Sequence, residues 1–281
     1  MIDAESQVET NKGNQLRSNY YEISTEYGQM WKNYLRNFHT AKAGITEMIL
    51  QRSFADVKSG KGSINAYDWL SGNLPQSGVI IDLGCGSGPF RRHGAKSTLI
   101  GVDVSTEEIR IAASHGGYKL IQSDVSKLPL KSNVADAAIS SMALMLFDSL
   151  ELVFKEMNRI LKPNGLAILL LPASNPLSIG DLQHYFRLFK ILRISKLDYP
   201  NDVAINRLES VALTAGFKVV SDENLKFEYV IRSEGDARTF LESLYLPKVD
   251  TENFEKAVEL ARKWIGKSMG IPLRCVVMSK Y

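Results

Sequence analysis

Three acidic residues at the ends of apolar runs are the best-placed groups in this sequence for binding a ligand. Asp82 opens the turn Asp82-Leu-Gly84-Cys85-Gly86-Ser-Gly88, Asp103 ends Leu99-Ile-Gly-Val-Asp103, and Asp124 ends Lys119-Leu-Ile-Gln-Ser-Asp124. Glycines at a tight turn accept positive φ and let a ligand reach the backbone with no Cβ in the way. A strand, a glycine turn and a helix N-terminus together make a nucleotide-type site. Asp103 follows Gly84 by about 20 residues, the offset at which an acid meets ribose hydroxyls. One carboxylate accepts from two vicinal hydroxyls at once, which suits a ribose. The glycines fall at 84, 86 and 88, and Pro89 occupies the third position of the dinucleotide fingerprint. The pattern is therefore acidic-x-G-x-G-x-G and not G-x-G-x-x-G. Two of the acids also have a plainer reading. Asp103 can cap the following helix, where Ser105 and Glu108 have capping-box spacing, and Asp124 can be a turn residue.

Positioning these residues requires alternating strands and helices. Val79–Ile81, Leu99–Asp103 and Lys119–Ser123 read as three strands, and Ala135–Met145 as a fourth, with Ser140 and Ser141 near its end. Glu151–Leu161 has helical period and is stopped by Pro163 and Gly165; Ala167–Leu171 is a fifth apolar strand. Phe217–Val220 is a sixth strand, Phe227–Ile231 a further strand or its continuation, and Leu273–Met278 the last. Upstream, Tyr27, Trp31, Tyr34 and Phe38 follow i, i+4, i+7, i+11 along one helical face. Gly44–Ala55 reads as a second helix, Lys58–Ser63 as a flexible break and Ile64–Leu70 as a third helix. Asp181–Ser195 is an apolar helix carrying Arg187, Lys190 and Arg193, with Lys196 just beyond. It can cap a substrate pocket, touch a membrane surface or pair with a second subunit. Asp202–Ala215, Ala237–Leu244 and Thr251–Ile265 complete the helices.

With these motifs in order, the chain resembles the class I S-adenosylmethionine-dependent methyltransferases of the small-molecule, methyltransferase-11-like type. The resemblance is dense over Val79–Pro172 and includes the helix-to-strand turn Asn158-Arg-Ile-Leu-Lys-Pro-Asn-Gly-Leu166. It implies an α/β, Rossmann-like sheet of seven strands, mostly parallel with an antiparallel last strand, helices on both faces and helical cap elements. It implies a helical lid over residues 1–75 and a core over 76–281, with cap insertions at about 175–206 and 233–270. The implied cofactor is S-adenosylmethionine, held by Asp82, Gly84, Cys85, Gly86, Asp103, Val104, Asp124, Val125, Ser140 and Ser141. Asp124 would meet the adenine amino group, and the end of the fourth strand would lie beside the sulfonium. Tyr20 and Tyr27 are lid and substrate-binding candidates that could orient the acceptor by a hydrogen bond, and Met145 is a candidate wall of the acceptor pocket. Many relatives carry His or Gln where Met145 stands, and Met accepts no proton. Tyr27 and His184 are the remaining candidates for a catalytic role.

Bulk properties narrow the alternatives. The chain has 281 residues, 44% hydrophobic and 23% charged, with net charge +3, ordinary values for a globular protein. That charge is too weak to imply nucleic acid by itself. Cys85 and Cys275 form no disulfide framework, and the histidines at 39, 93, 115 and 184 show no metal-ligand spacing. The polar start and the lack of a long apolar run lead us to expect a cytoplasmic protein without a membrane span, monomeric or homodimeric. The leading expectation is methyl transfer to an O, N or C atom of a small, fairly apolar molecule. The alternatives are an RNA or other macromolecule methyltransferase, a nicotinamide-dependent oxidoreductase and a non-catalytic cofactor-binding regulator.

Overall fold

The computed structural model describes residues 25–56, 62–92 and 96–281. Two helices, α1 (Thr25–Ala41) and α2 (Ile45–Gln51), lead into the strands β1 (Ser53–Asp56) and β2 (Ser63–Asn65) and the short helix α3 (Ala66–Ser71). The central unit follows: β3 (Gly78–Leu83), β4 (Ser97–Asp103), α4 (Thr106–His115), β5 (Lys119–Gln122), β6 (Ala135–Ser141), α5 (Leu150–Ile160) and β7 (Leu161–Pro172). Then come α6 (Ile179–Leu192), α7 (Val203–Asn206), α8 (Leu208–Thr214), β8 (Phe217–Val230), α9 (Glu234–Glu242), α10 (Thr251–Arg262) and β9 (Ser268–Lys280).

All these strands form one sheet in the order β2-β1-β8-β9-β7-β6-β3-β4-β5. The strands from β7 through β5 in that order pair in parallel, and β9 runs antiparallel between β7 and β8. β3 lies between β4 and β6, so the chain builds outward to one side and then returns to build the other. At such a reversal the connections leave in opposite directions and open a crevice beyond the carboxyl ends of the strands. Leu83 of β3, Asp103 of β4 and Ser141 of β6 end there.

The sequence predicts seven strands, and the sheet has nine among the described residues. The two extra strands overlap the end of Gly44–Ala55 and the start of Ile64–Leu70, both read above as helices. Ser53–Asp56 alternates buried and exposed residues, but four residues cannot distinguish a strand from a frayed helix end. What decides is β8, whose 14 residues outrun the pattern seen locally. Its outer edge carries unpaired backbone groups, and β1 covers the end of that edge, with Ser53 opposite Tyr229 and Phe54 opposite Glu228. The segments read as Phe217–Val220 and Phe227–Ile231 are thus one strand, with a register shift between Val219 and Ser221.

Period-two alternation divides the core between the sheet faces. Ile81, Leu83, Leu169 and Leu171 pack on one side with Phe154, Met157 and Phe217. Ile80, Ile139, Ile168 and Leu170 pack on the other with Tyr67, Leu70 and Phe90. The aromatic stripe of α1 forms its own cluster: Trp31 meets Tyr27 and Tyr34 edge-on, at centroid distances of 6.4 and 5.6 Å, and Phe38 packs on Tyr245 at 4.8 Å. A fourth cluster joins α6, α9 and α10 to the ends of β8 and β9. Asp181 anchors α6 there. It completes a capping box with Ser178 and accepts the Gly270 N–H at 2.8 Å.

Candidate functional site

The turn after β3 is built by the next strand. Gly84 N–H and Cys85 N–H both donate to Val102 O, at 2.8 and 3.1 Å. Gly84, Gly86 and Gly88 all have positive φ, at 70°, 51° and 80°. A Cβ on Gly84 would lie 2.5 Å from the Ala143 Cβ, so the turn and the loop after β6 meet only because that side chain is missing. Asp103 holds the turn from the other side, its Oδ2 accepting Gly86 N–H at 2.9 Å and its Oδ1 accepting Ser105 N–H at 2.8 Å. Burial raises the Asp103 pKa against the pull of those two amides.

Asp82 is buried directly beneath the turn. Its Oδ2 accepts the Tyr118 hydroxyl at 2.9 Å, and Oδ1 has no protein partner. Burial pushes its pKa up to about 7; the Tyr118 bond opposes the shift and the charge of Asp103 adds to it. Cys85 is buried against Gly101, and burial raises its thiol pKa. That environment suits a small packing residue and not a nucleophile.

A cavity of about 830 Å³ opens over these groups. Asp82, Gly84, Cys85, Gly86, Asp103, Val104, Asp124, Val125 and Ser141 all line it. Its opposite walls come from Trp31, Leu35 and His39 of α1, from Met142, Leu146 and Phe147 after β6, and from Tyr245. Residues 81–169 match the family model described as "Methyltransferase domain". The chain carries a class I S-adenosylmethionine-dependent methyltransferase domain. It is 31% identical over 94 residues to a Legionella pneumophila malonyl-[acyl-carrier protein] O-methyltransferase, which covers 31% of this chain and 33% of the relative. It is 25% identical to the Caenorhabditis elegans sterol 4-C-methyltransferase strm-1 over 80% of this chain and 67% of the relative. The chain spans about a third of the length of the malonyl-[acyl-carrier protein] O-methyltransferases it matches first. In fold it is similar to the [4+2]-cyclase SpnF, with a TM-score of 0.52 and 19% identity over 92% of this chain and 95% of that one. It is similar too to a Bacillus halodurans protein provisionally described as a methyltransferase, with a TM-score of 0.53 and 15% identity over 76% and 98% of the two chains.

The residues of the methyltransferase domain fit its cofactor. Each Asp103 oxygen accepts one backbone N–H and keeps a lone pair, enough for two vicinal hydroxyls. Asp124 binds Ser126 through Oδ1 alone, at 2.8 Å to N and 2.7 Å to Oγ. The exposed Val104 and the buried Val125 follow the two acids and give apolar surface for a ring. The buried Asp82 Oδ1 and Ser141 Oγ have no protein partner, which leaves them to a ligand or water. Among the described residues no His, Cys, Asp and Glu cluster forms a metal site, and no helix is long and apolar enough to cross a membrane.

Other candidates fall elsewhere. Ser140 is buried within β6, its Oγ without a partner, and is absent from the cavity wall. Met145 is 0% exposed and packs in the core. Met142 takes the place at the cavity, held at φ 54° by its N–H bond to Leu170 O. Left-handed backbone is unfavourable for a side chain of this size and gathers at functional sites. His184 stacks on Trp264 at 4.3 Å, away from the cavity. Tyr27 stands outside the wall, its hydroxyl 3.4 Å from Asp198 and the Lys248 ammonium 5.3 Å from its ring centroid. Tyr20 lies outside the described residues.

Sequence reasoning missed the groups that seat the N-terminal helices on the turn. The Ser105 side chain accepts Glu108 N–H, half of the expected capping box. The Glu108 carboxylate instead accepts Gly44 N–H and meets His39 Nδ1 at 3.0 Å. Glu47 of α2 accepts from Ser87 Oγ and, at 2.6 Å, from Arg91. Arg91 is thereby neutralised. No local pattern marks these pairs, because each joins residues 40 or more positions apart.

Proposed function

We propose that this chain transfers a methyl group from S-adenosylmethionine to an O, N or C atom of a small, fairly apolar acceptor. One observation carries the reading: the glycine turn, Asp103 and Asp124 share a cavity with Trp31, Leu35, Met142, Leu146, Phe147 and Tyr245. The acids lie on the side suited to an adenosyl group; the second wall sets aromatic and aliphatic side chains beside the polar Lys32, Arg36, His39 and Asp148. When bound, the cofactor supplies an electrophilic methyl on a sulfonium. Asp82 and its neighbouring acids favour a cationic ligand by their field. Trp31, Leu146 and Phe147 shape the space against which an acceptor is aligned and exclude water from it. Alignment in near-attack geometry is worth roughly 7–11 kcal/mol of a barrier, so the reaction needs no dedicated nucleophile on the protein. Ser140 remains a proposed member of the cofactor-binding group, acting from within β6.

The acceptor class rests on that wall. The relatives' names span a malonyl group on acyl carrier protein, demethylmenaquinone, a tRNA uridine and a sterol. They support the reaction type more than any one acceptor. Calorimetry with S-adenosylhomocysteine, followed by turnover of methyl-labelled cofactor across hydroxylated, amine and quinol acceptors, tests the proposal. Binding followed by labelling of an apolar acceptor supports it. Salt-sensitive retention on RNA with labelling of RNA alone would favour the macromolecular reading. Preference for NAD would return the oxidoreductase reading.

A further inference from the structure

Helix α6 buries one face and leaves the other bare. Asp181, Leu188 and Leu192 point inward, and Tyr185 and Phe189 pack with them. Ile179, Leu182 and Phe186 are 77%, 53% and 70% exposed. At about 100° per residue, Ile179, Leu182, Gln183, Phe186, Arg187 and Lys190 occupy an arc of roughly 140°. The outward face is thus apolar over its first two turns and basic over its last. Arg193, at the helix end, and Lys267, in the turn before β9, extend the basic part. Among the described residues, none of Arg187, Lys190, Arg193 and Lys267 has a carboxylate within 4 Å. The His184 ring lies 4.3 Å from that of Trp264, whose carbonyl accepts the Lys267 N–H at 2.8 Å, which brings Lys267 beside α6.

We infer that this face of α6 docks on an anionic phospholipid bilayer, with Phe186, Leu182 and Ile179 entering the interface and Arg187, Lys190, Arg193 and Lys267 meeting phosphates. A cap helix that merely covers a pocket has no need of three large apolar side chains in water. A second copy of the chain is a poor occupant. A two-fold axis across the middle of the helix would lay each apolar half on the partner's cations, and an axis along it would set cation on cation. An anionic lipid surface satisfies both halves, since it offers hydrocarbon and phosphate at adjacent depths. The inference stands apart from the methyl-transfer reading, because it uses none of the cavity residues.

The test is co-sedimentation of the full chain with vesicles of phosphatidylcholine alone and with about one-third phosphatidylglycerol. We expect about tenfold stronger partition onto the anionic vesicles, weakened by salt. Phe186→Ser should lower it on both compositions. Arg187→Ser with Lys190→Ser should reduce the preference for phosphatidylglycerol several-fold, Arg193 and Lys267 keeping the rest. Val220→Ser, at an exposed apolar residue of β8, should change nothing. These positions are exposed, and unchanged thermal melting of each variant checks its fold. Equal partition onto both vesicle types overturns the inference. So does unaltered binding of Phe186→Ser, or a dimer in sedimentation velocity that Phe186→Ser dissolves while vesicles stay bare.

Discussion

The Glu108 carboxylate accepts the backbone N–H of Gly44 with both oxygens, at 3.2 and 3.1 Å. That contact joins the N-cap of α2 to the first turn of α4, the helix that follows Asp103, and His39 closes it at 3.0 Å. The buried carboxylate makes the position of the N-terminal helices a property of the cofactor-side wall. Glu108→Gln keeps the size and removes the charge. It should cost about 1–3 kcal/mol and speed amide exchange across residues 39–47. Exchange unchanged from the parent protein would show that the aromatic stripe alone holds α1.

Asp103→Ala should weaken S-adenosylmethionine binding by roughly 1–3 kcal/mol, since two acceptors of a charged group are lost and the Gly86 amide is freed. Calorimetry measures this directly. Unchanged affinity would remove Asp103 from the ribose role.

Asp82 should make cofactor affinity depend on pH. Its pKa of about 7 means that the free protein is protonated there at pH 6 and largely ionised at pH 8. A cationic ligand favours the ionised form, so affinity should rise with pH through 7, and Asp82→Asn should flatten the rise. The same shift bears on stability. For an acid raised on folding, the stabilising contribution is complete below the unfolded pKa near 4 and is lost as pH climbs through about 7. The loss is on the order of 4 kcal/mol. The ligand-free Asp82→Asn variant should therefore gain melting temperature, relative to the parent, at pH 8 compared with pH 4.

Gly84→Ala adds a Cβ 2.5 Å from Ala143 Cβ at a backbone φ of +70°. Overpacking and left-handed strain together should cost about 2–4 kcal/mol, read as a lower denaturant midpoint, and cofactor binding should fall with it. Gly86→Ala meets only the Glu108 carboxylate, at 3.7 Å, and should be milder in stability.

Two methionines three residues apart should separate cleanly. Met145→Ala empties a core site and should cost roughly 2–5 kcal/mol, with cofactor and acceptor affinity unchanged in the folded fraction. Met142→Ala should leave stability nearer the parent and shift KM for the acceptor. A reversed pattern would exchange their roles.

The acids and the glycine turn were legible in the sequence because their chemistry is local. An acid closing an apolar run, glycines at alternate positions and a fixed offset to the next strand each depend on a few neighbouring residues. The parallel strands were legible for the same reason, as short β-branched runs between helical periods. Neighbours in sequence could not decide which methionine faces the cavity, because a left-handed backbone at Met142 exchanges inward and outward at the end of β6. Nor could they decide the ninefold width of the sheet, which depends on how far the edge of β8 extends, or the seating of the first helices, which depends on Glu108 meeting a backbone N–H 64 positions away. Local periodicity reports on one element at a time. Edges, buried charges and the walls of a cavity are properties of elements in contact, and only the packed chain determines them.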